Sequence, residues 1–179
     1  AVAVALVGSP ELLFLDEPTT GLDPGARIRI WNAVESFVRE KNTVVLTTHY
    51  MEEASRLCQR VGIIDEGSLQ ALDTPSKLLE MLDAREIVEV TVEGEAPSAL
   101  LSRTPGVVRT EKRGGTAMLF TNEPAAVIPR VLASLAEESI PVRLLVTRQA
   151  TLEDVFLHLT GKKLLEAGDT NAAKNTETE

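Results

Sequence analysis

The chain has 179 residues, 44% hydrophobic, 3% aromatic and 25% charged, a globular composition able to bury a core in one domain or two small ones. With 18 Lys plus Arg against 27 Asp plus Glu the net charge is -9, which argues against a general affinity for nucleic acid backbone or an anionic membrane surface. The one cysteine, Cys58, has no partner for an internal disulfide, and the apolar start from Ala1 to Val7 is about a third of a bilayer span, so a reducing cytoplasm is the expected setting.

Residues 1–7 are Ala, Val and Leu on all sides and read as the end of a buried helix; with Ala rather than Met in first place, a missing N-terminal portion is expected. Leu12-Leu13-Phe14-Leu15 is a continuous apolar run of strand length, expected to be buried on both faces of a parallel sheet, and it ends in Asp16-Glu17-Pro18. After a loop, Asp23 supplies an N-cap with Pro24 at the first helical position. Ile28, Trp31, Val34, Phe37 and Val38 then recur at helical spacing as far as about Glu40. Residues 43–48 form a second buried strand, so strand, helix and strand make a βαβ unit with parallel strands, and His49 follows directly. Residues 51–58 read as a short helix whose first turn carries Glu52 and Glu53, where the helix dipole favours negative charge. Two strands at 61–64 and 69–72 join at Glu66-Gly67, and a helix spans 76–82.

Near Asp83 the pattern changes. Val88, Val90 and Val92 alternate with Glu89, Thr91 and Glu93, as in a half-exposed strand, and a domain boundary is placed there, giving domains 1–83 and 84–164. A helix at 98–103, strands at 107–111 and 117–120, a helix through 131–136 with Pro129 obscuring its start, and a strand at 142–146 complete the order β-α-β-β-α-β of a ferredoxin-like unit. A helix at 152–159 precedes a polar tail, 165–179, too poor in apolar groups to stay ordered.

Ligands of parallel sheets sit outside the carboxyl ends of the strands, and Asp16 and Glu17 stand at such an end. A hard cation carrying phosphates needs one or two carboxylates plus water, and hydrolysis needs a carboxylate to orient the attacking water. His49 ends the neighbouring strand on the same sheet edge, where it can donate to a phosphoryl oxygen. On spacing alone, an acidic pair there is usually the start of a loop, Asp23 is a helix cap, and Cys58 and His158 are structural residues.

Read as whole strings, the segment Leu12-Leu13-Phe14-Leu15-Asp16-Glu17-Pro18-Thr19-Thr20-Gly21-Leu22-Asp23-Pro24 resembles the Walker B strand and D-loop of ABC-type ATPases. Thr47-Thr48-His49-Tyr50-Met51-Glu52-Glu53-Ala54 resembles their switch-histidine segment. Residues 151–161, Thr-Leu-Glu-Asp-Val-Phe-Leu-His-Leu-Thr-Gly, are similar to the ending of exporter subunits in the drug-resistance and polysaccharide-export branch. The resemblance implies a partial P-loop NTPase sheet followed by the accessory domain, with ATP and Mg²⁺ as cofactors. It makes Asp16 the metal carboxylate, Glu17 the general base, His49 the contact to the γ-phosphate and Asp23 part of the loop that touches a partner subunit. Implied partners are a second ATPase subunit, as a homodimer, and a separate transmembrane permease on the inner face of the cell membrane, with no nucleic acid.

The family's glycine-rich GxxxxGK[ST] loop and its LSGGQ-type signature do not occur in these 179 residues. The chain alone is therefore expected neither to bind nor to hydrolyse ATP. Two other readings stand beside the exporter subunit: a non-transport ABC ATPase, and a non-enzymatic module for dimerisation or permease docking.

Overall fold

A computed structural model of the chain describes residues 10–161, so the expectations for residues 1–7 and 165–179 lie outside the described residues. The fold is mixed α/β and divides into two compact units, one of residues up to Pro75 and the other of Ser76–His158.

In the first unit, β1 (Leu12–Asp16) pairs in parallel with β2 (Thr43–Thr47), in a register running from Leu12 opposite Thr43 to Asp16 opposite Thr47. The crossover is α1 (Pro24–Arg39), begun by Asp23, whose carboxylate accepts the Ala26 amide at 2.9 Å, with Pro24 in the first turn. It ends where Lys41 turns into the left-handed region at φ 68° and donates back to the Val38 carbonyl. Buried Trp31, Val34 and Phe37 mark its inner face. Leu13 and Leu15 pack with Val34 and Phe37, while Leu12, Phe14 and Val45 point the other way and stay exposed, Phe14 at 70%. The expectation of strands buried on both faces is corrected here: among the described residues only one face of the pair is covered, because each strand's side chains alternate and α1 lies on one side. Next come α2 (Met51–Leu57) and an antiparallel hairpin of β3 (Val61–Asp65) and β4 (Ser68–Asp73). Its turn puts Glu66 and Gly67 at φ 48° and 76°, the positive pair that a twisted two-residue hairpin requires.

The second unit opens within α3 (Pro75–Glu80) and continues as β5 (Glu86–Val92), α4 (Ser98–Leu101), β6 (Val107–Arg113), β7 (Thr116–Thr121), α5 (Pro124–Glu137), β8 (Val142–Gln149) and α6 (Leu152–Thr160). The strands form one antiparallel sheet in the order β6-β7-β5-β8. Val88, Val90 and Val92 of β5 bury against Leu101, Val127, Val131 and Leu135, so α4 and α5 cover that face. The half-exposed reading of this strand is also corrected. Flanked on both sides, β5 has Ile87 fully buried on its second face, in a row with Phe120 of β7, Arg109 of β6 and Arg148 of β8. The Arg109 guanidinium lies 4.0 Å over the Phe120 ring. Pro129 sits inside α5, which starts at Pro124, earlier than the pattern suggests; as the sixth helical residue it lacks the N–H that would bond back into the first turn.

Both arginines of that row also hold α6. Arg109 meets His158, and Arg148 grips Asp154 through two parallel bonds of 2.7 and 2.9 Å while its Nε donates to Glu89 at 2.7 Å. Asp154 further accepts the Thr151 amide at 2.8 Å and the Thr151 hydroxyl at 3.1 Å, closing the first turn of α6. Burial opposes ionisation of this carboxyl most strongly, yet the Arg148 and Thr151 bonds together outweigh it and hold the group below its ordinary 3.8.

Removing Asp154 leaves Arg148 with Glu89 as its remaining carboxylate and takes away the Thr151 bonds, so Asp154→Ala should lower unfolding stability by about 2 kcal/mol in a urea titration. The depressed value means that this stabilisation is complete above an aspartate's ordinary range and is lost as pH falls through the lower folded value; Asp154→Asn should flatten that acid limb. The face carrying Leu12, Phe14 and Val45, uncovered among the described residues, should make the chain self-associate, with Phe14→Glu shifting sedimentation towards the monomer.

Candidate functional site

Parallel pairing brings the carboxyl ends of β1 and β2 together, and five polar side chains meet there. The Thr47 hydroxyl donates to Asp16 Oδ1. Glu17 donates its backbone N–H to the Thr47 carbonyl at 3.0 Å and lies at 3.3 Å from the Thr47 hydroxyl. Those bonds hold Glu17 at φ 43°, a left-handed backbone that a non-glycine residue adopts only when its surroundings dictate it. Its carboxylate then accepts Thr20 Oγ1 at 3.1 Å on one oxygen and meets His49 Nδ1 at 3.2 Å on the other.

The loop from Glu17 to Asp23 consists of two successive turns, Thr20 to Glu17 and Leu22 to Thr19, and it delivers the chain to the Asp23 cap. The Ala26 amide, above all, holds the Asp23 carboxyl below its ordinary range. Asp23 therefore serves the helix, and its bonds tie it neither to Asp16 nor to Glu17. The structure thus brings Asp16, Glu17 and His49 to one edge and sets Asp23 one loop away, at the start of α1.

A carboxylate accepts, so the imidazole donates from Nδ1 and its Nε2 is the free ring nitrogen; it is buried and without a hydrogen-bond partner. With Nδ1–H committed to Glu17, Nε2 can donate to an anionic oxygen only as part of an imidazolium. The Thr19 hydroxyl is likewise buried and unpartnered.

Sequence reasoning missed Thr47 and Thr20, which orient the two carboxylates, and accounted for Glu53 by the helix dipole alone. Glu53 is fully buried and accepts the Trp31 indole N–H at 2.9 Å. The available signal was the tryptophan itself, because a buried indole N–H must find an acceptor. Burial, and then the Glu53 charge, push the Cys58 thiol up, which makes it a poor nucleophile. A groove of about 420 Å³ runs beside β2, lined by Val34, Val38, Val44, Leu57 and Cys58, and carries none of the site residues.

Among the described residues no group of three His, Cys, Asp or Glu side chains gathers around a metal position. Mg²⁺ does not require one, since one or two carboxylates with water and phosphate satisfy it, and Asp16 at an open strand end fits that role. The triphosphate does not fit these residues alone, because no glycine-rich loop with its lysine exists in the sequence to cradle it.

An AAA domain model, described for an AbiEii toxin of a type IV toxin–antitoxin system, matches residues 1–54, and the model of the C-terminal domain of the nodulation factor export protein NodI matches residues 98–161. The chain is similar to the ATP-binding subunits of ABC transporters. Its similarity within them is to Nod factor export ATP-binding protein I: 44% identity over 91% of this chain and 52% of the protein of Cupriavidus metallidurans. The protein of Ralstonia nicotianae is 36% identical over 91% of this chain and 50% of its own length, and that of Neorhizobium galegae 40% identical over 91% and 45%. The chain thus spans about half the length of the curated relatives it matches.

If Asp23 acts as the cap, Asp23→Ala should speed amide exchange at Ala26 and lower the melting temperature, whereas Asp23→Asn should retain most of the protection. The depressed carboxyl predicts the same fraying in the parent chain as pH drops through the folded value of Asp23.

Proposed function

We propose that these residues form the water-activating half of the ATP site in an ABC exporter subunit, with Asp16 holding Mg²⁺ through water, Glu17 acting as general base and His49 contacting the γ-phosphate. The observation that carries this reading is the Glu17–His49 pair, 3.2 Å apart at the carboxyl ends of two parallel strands. Glu17 is fixed by Thr20 and by its own strained backbone, so its carboxylate is aimed before any ligand arrives. Bound Mg-ATP would supply the phosphoryl group and the screening of its oxygens. The protein's part is to accept the water's proton at Glu17 and, with His49 as an imidazolium, to offer its Nε2–H where negative charge collects. Asp23, beside its capping role, belongs to the loop offered to a second subunit in a homodimer.

In this reading residues 1–83 are the C-terminal part of a P-loop NTPase domain, and 84–164 are an accessory domain of ferredoxin-like type. The strand order β6-β7-β5-β8 with two helices on one face supports that assignment. The phosphate loop comes from outside these 179 residues, a view favoured by the chain's match to half of its relatives and by the uncovered apolar face of β1 and β2. Among the described residues no helix is long and apolar enough to cross a membrane, and a separate permease is the proposed partner, with the subunit on the cytoplasmic side of the membrane. The relatives' names give Nod factor as the exported substrate, and export is the activity proposed for the complete subunit.

Calorimetric titration of Mg-ATP into this chain and into Glu17→Gln should give no heat from either; micromolar binding would overturn the absent-cradle reading. In a longer subunit containing a GxxxxGK[ST] loop, Glu17→Gln should retain nucleotide while turnover falls by about 100-fold or more.

A further inference from the structure

The helices behind the acidic edge meet along one seam. On α1 the participating residues are Arg27, Trp31 and Glu35, spaced by four; on α2 and the residue before it they are Tyr50, Glu53 and Arg56, spaced by three. The Arg27 guanidinium lies 4.4 Å over the Tyr50 ring, Trp31 Nε1 donates to Glu53 Oε1 at 2.9 Å, and Arg56 Nε donates to Glu35 at 2.9 Å. Arg56 also reaches Asn32 at 3.4 Å and stacks 4.9 Å over the Trp31 ring, so the rungs share members. The central rung is the dry one: Trp31 is 3% exposed and Glu53 0%.

At the Arg27–Tyr50 end, the two sides of this seam continue into the two halves of the Glu17–His49 pair. On the α2 side, Tyr50 opens the helix by accepting the Ala54 amide, donates its own N–H to the Thr48 hydroxyl at 3.0 Å, and sets its ring 4.2 Å from the His49 ring. On the α1 side, the helix starts at Asp23, where the loop holding Glu17 and Thr20 ends. We infer that Glu53 is a positioning residue: its bond to Trp31 sets α2 against α1 and thereby keeps His49 Nδ1 on the Glu17 carboxylate. This deepens the proposed function, because the pair being positioned is the one assigned there to chemistry. The pairing itself is nonetheless measurable without nucleotide.

The experiment reads the His49 ring by long-range nitrogen–proton correlation in the nitrogen-15-labelled chain, at a pH where the imidazole is neutral. The only other histidine is His158, and His49→Gln assigns the two. The parent chain should show His49 as the Nδ1–H tautomer. Trp31→Phe and Glu53→Leu should raise the Nε2–H form by about fivefold, the population change that follows loss of one hydrogen bond, whereas Glu53→Gln, whose amide oxygen still accepts the indole, should restore the parent ring. A lesser melting temperature alone would mark a merely structural role, so an unchanged ring in folded Trp31→Phe or Glu53→Leu overturns the inference, as does an Nε2–H ring in the parent. Should both variants fail to fold, Arg27→Ala with Arg56→Ala trims the outer rungs and must move the ring in the same direction, or the inference falls. Failure of the catalytic reading is distinguishable: it appears as retained turnover in Glu17→Gln of the longer subunit, with the tautomer result intact.

Discussion

The register between two five-residue strands, with Asp16 opposite Thr47, decides what can happen at the acidic edge. Parallel strands end on the same side, so Asp16 and Glu17 emerge beside Thr47 and His49 only because one crossover helix returns the chain in the same direction. A slip of one residue would set the apolar face of one strand against the solvent face of the other and take the Thr47 hydroxyl away from Asp16. The hydrophobic seal under the strands and the polar geometry at their tips are thus one constraint. Glu17 adds a local cost to it, a left-handed backbone paid for by the two contacts of its amide with Thr47.

The second unit is held by different means. Its antiparallel sheet buries valines of β5 under α4 and α5, and on the opposite face the buried Ile87 and Phe120 share their row with two arginines. Arg109 and Arg148, from the two edge strands, lay their guanidinium planes on that face and reach α6 through His158 and Asp154. Arginine suits this position because its flat group can cover an aromatic ring and hold a carboxylate with two bonds, as it does here at Phe120 and Asp154.

Much of this was legible in the residues. The cap at Asp23 and Pro24, the apolar period of α1, the hairpin turn at Glu66-Gly67 and the strand–helix order after Asp83 all follow from local rules, and apart from the early start of α5 each element stands close to its expected place. The proximity of Asp16, Glu17 and His49 was legible because parallel pairing follows from a strand, helix and strand of that length. What local rules could not supply was which faces are covered. An apolar run such as Leu12 to Leu15 has the same pattern whether one face or both find a neighbour, and the alternating β5 looks solvated until Arg148 and Phe120 are set beside it. Glu53 escaped for a related reason, since its helix position explains a negative charge without revealing that an indole 22 residues earlier needs an acceptor.

The chain has one tryptophan and one tyrosine, and both, Trp31 and Tyr50, belong to the first unit. Intrinsic fluorescence is therefore a private signal of that unit, with the indole N–H fixed on a buried carboxylate as its reference state. Backbone circular dichroism sums over both units. Comparing the two signals during denaturation separates the unfolding of the strand-and-helix unit from that of the antiparallel sheet, with no label and no engineered probe.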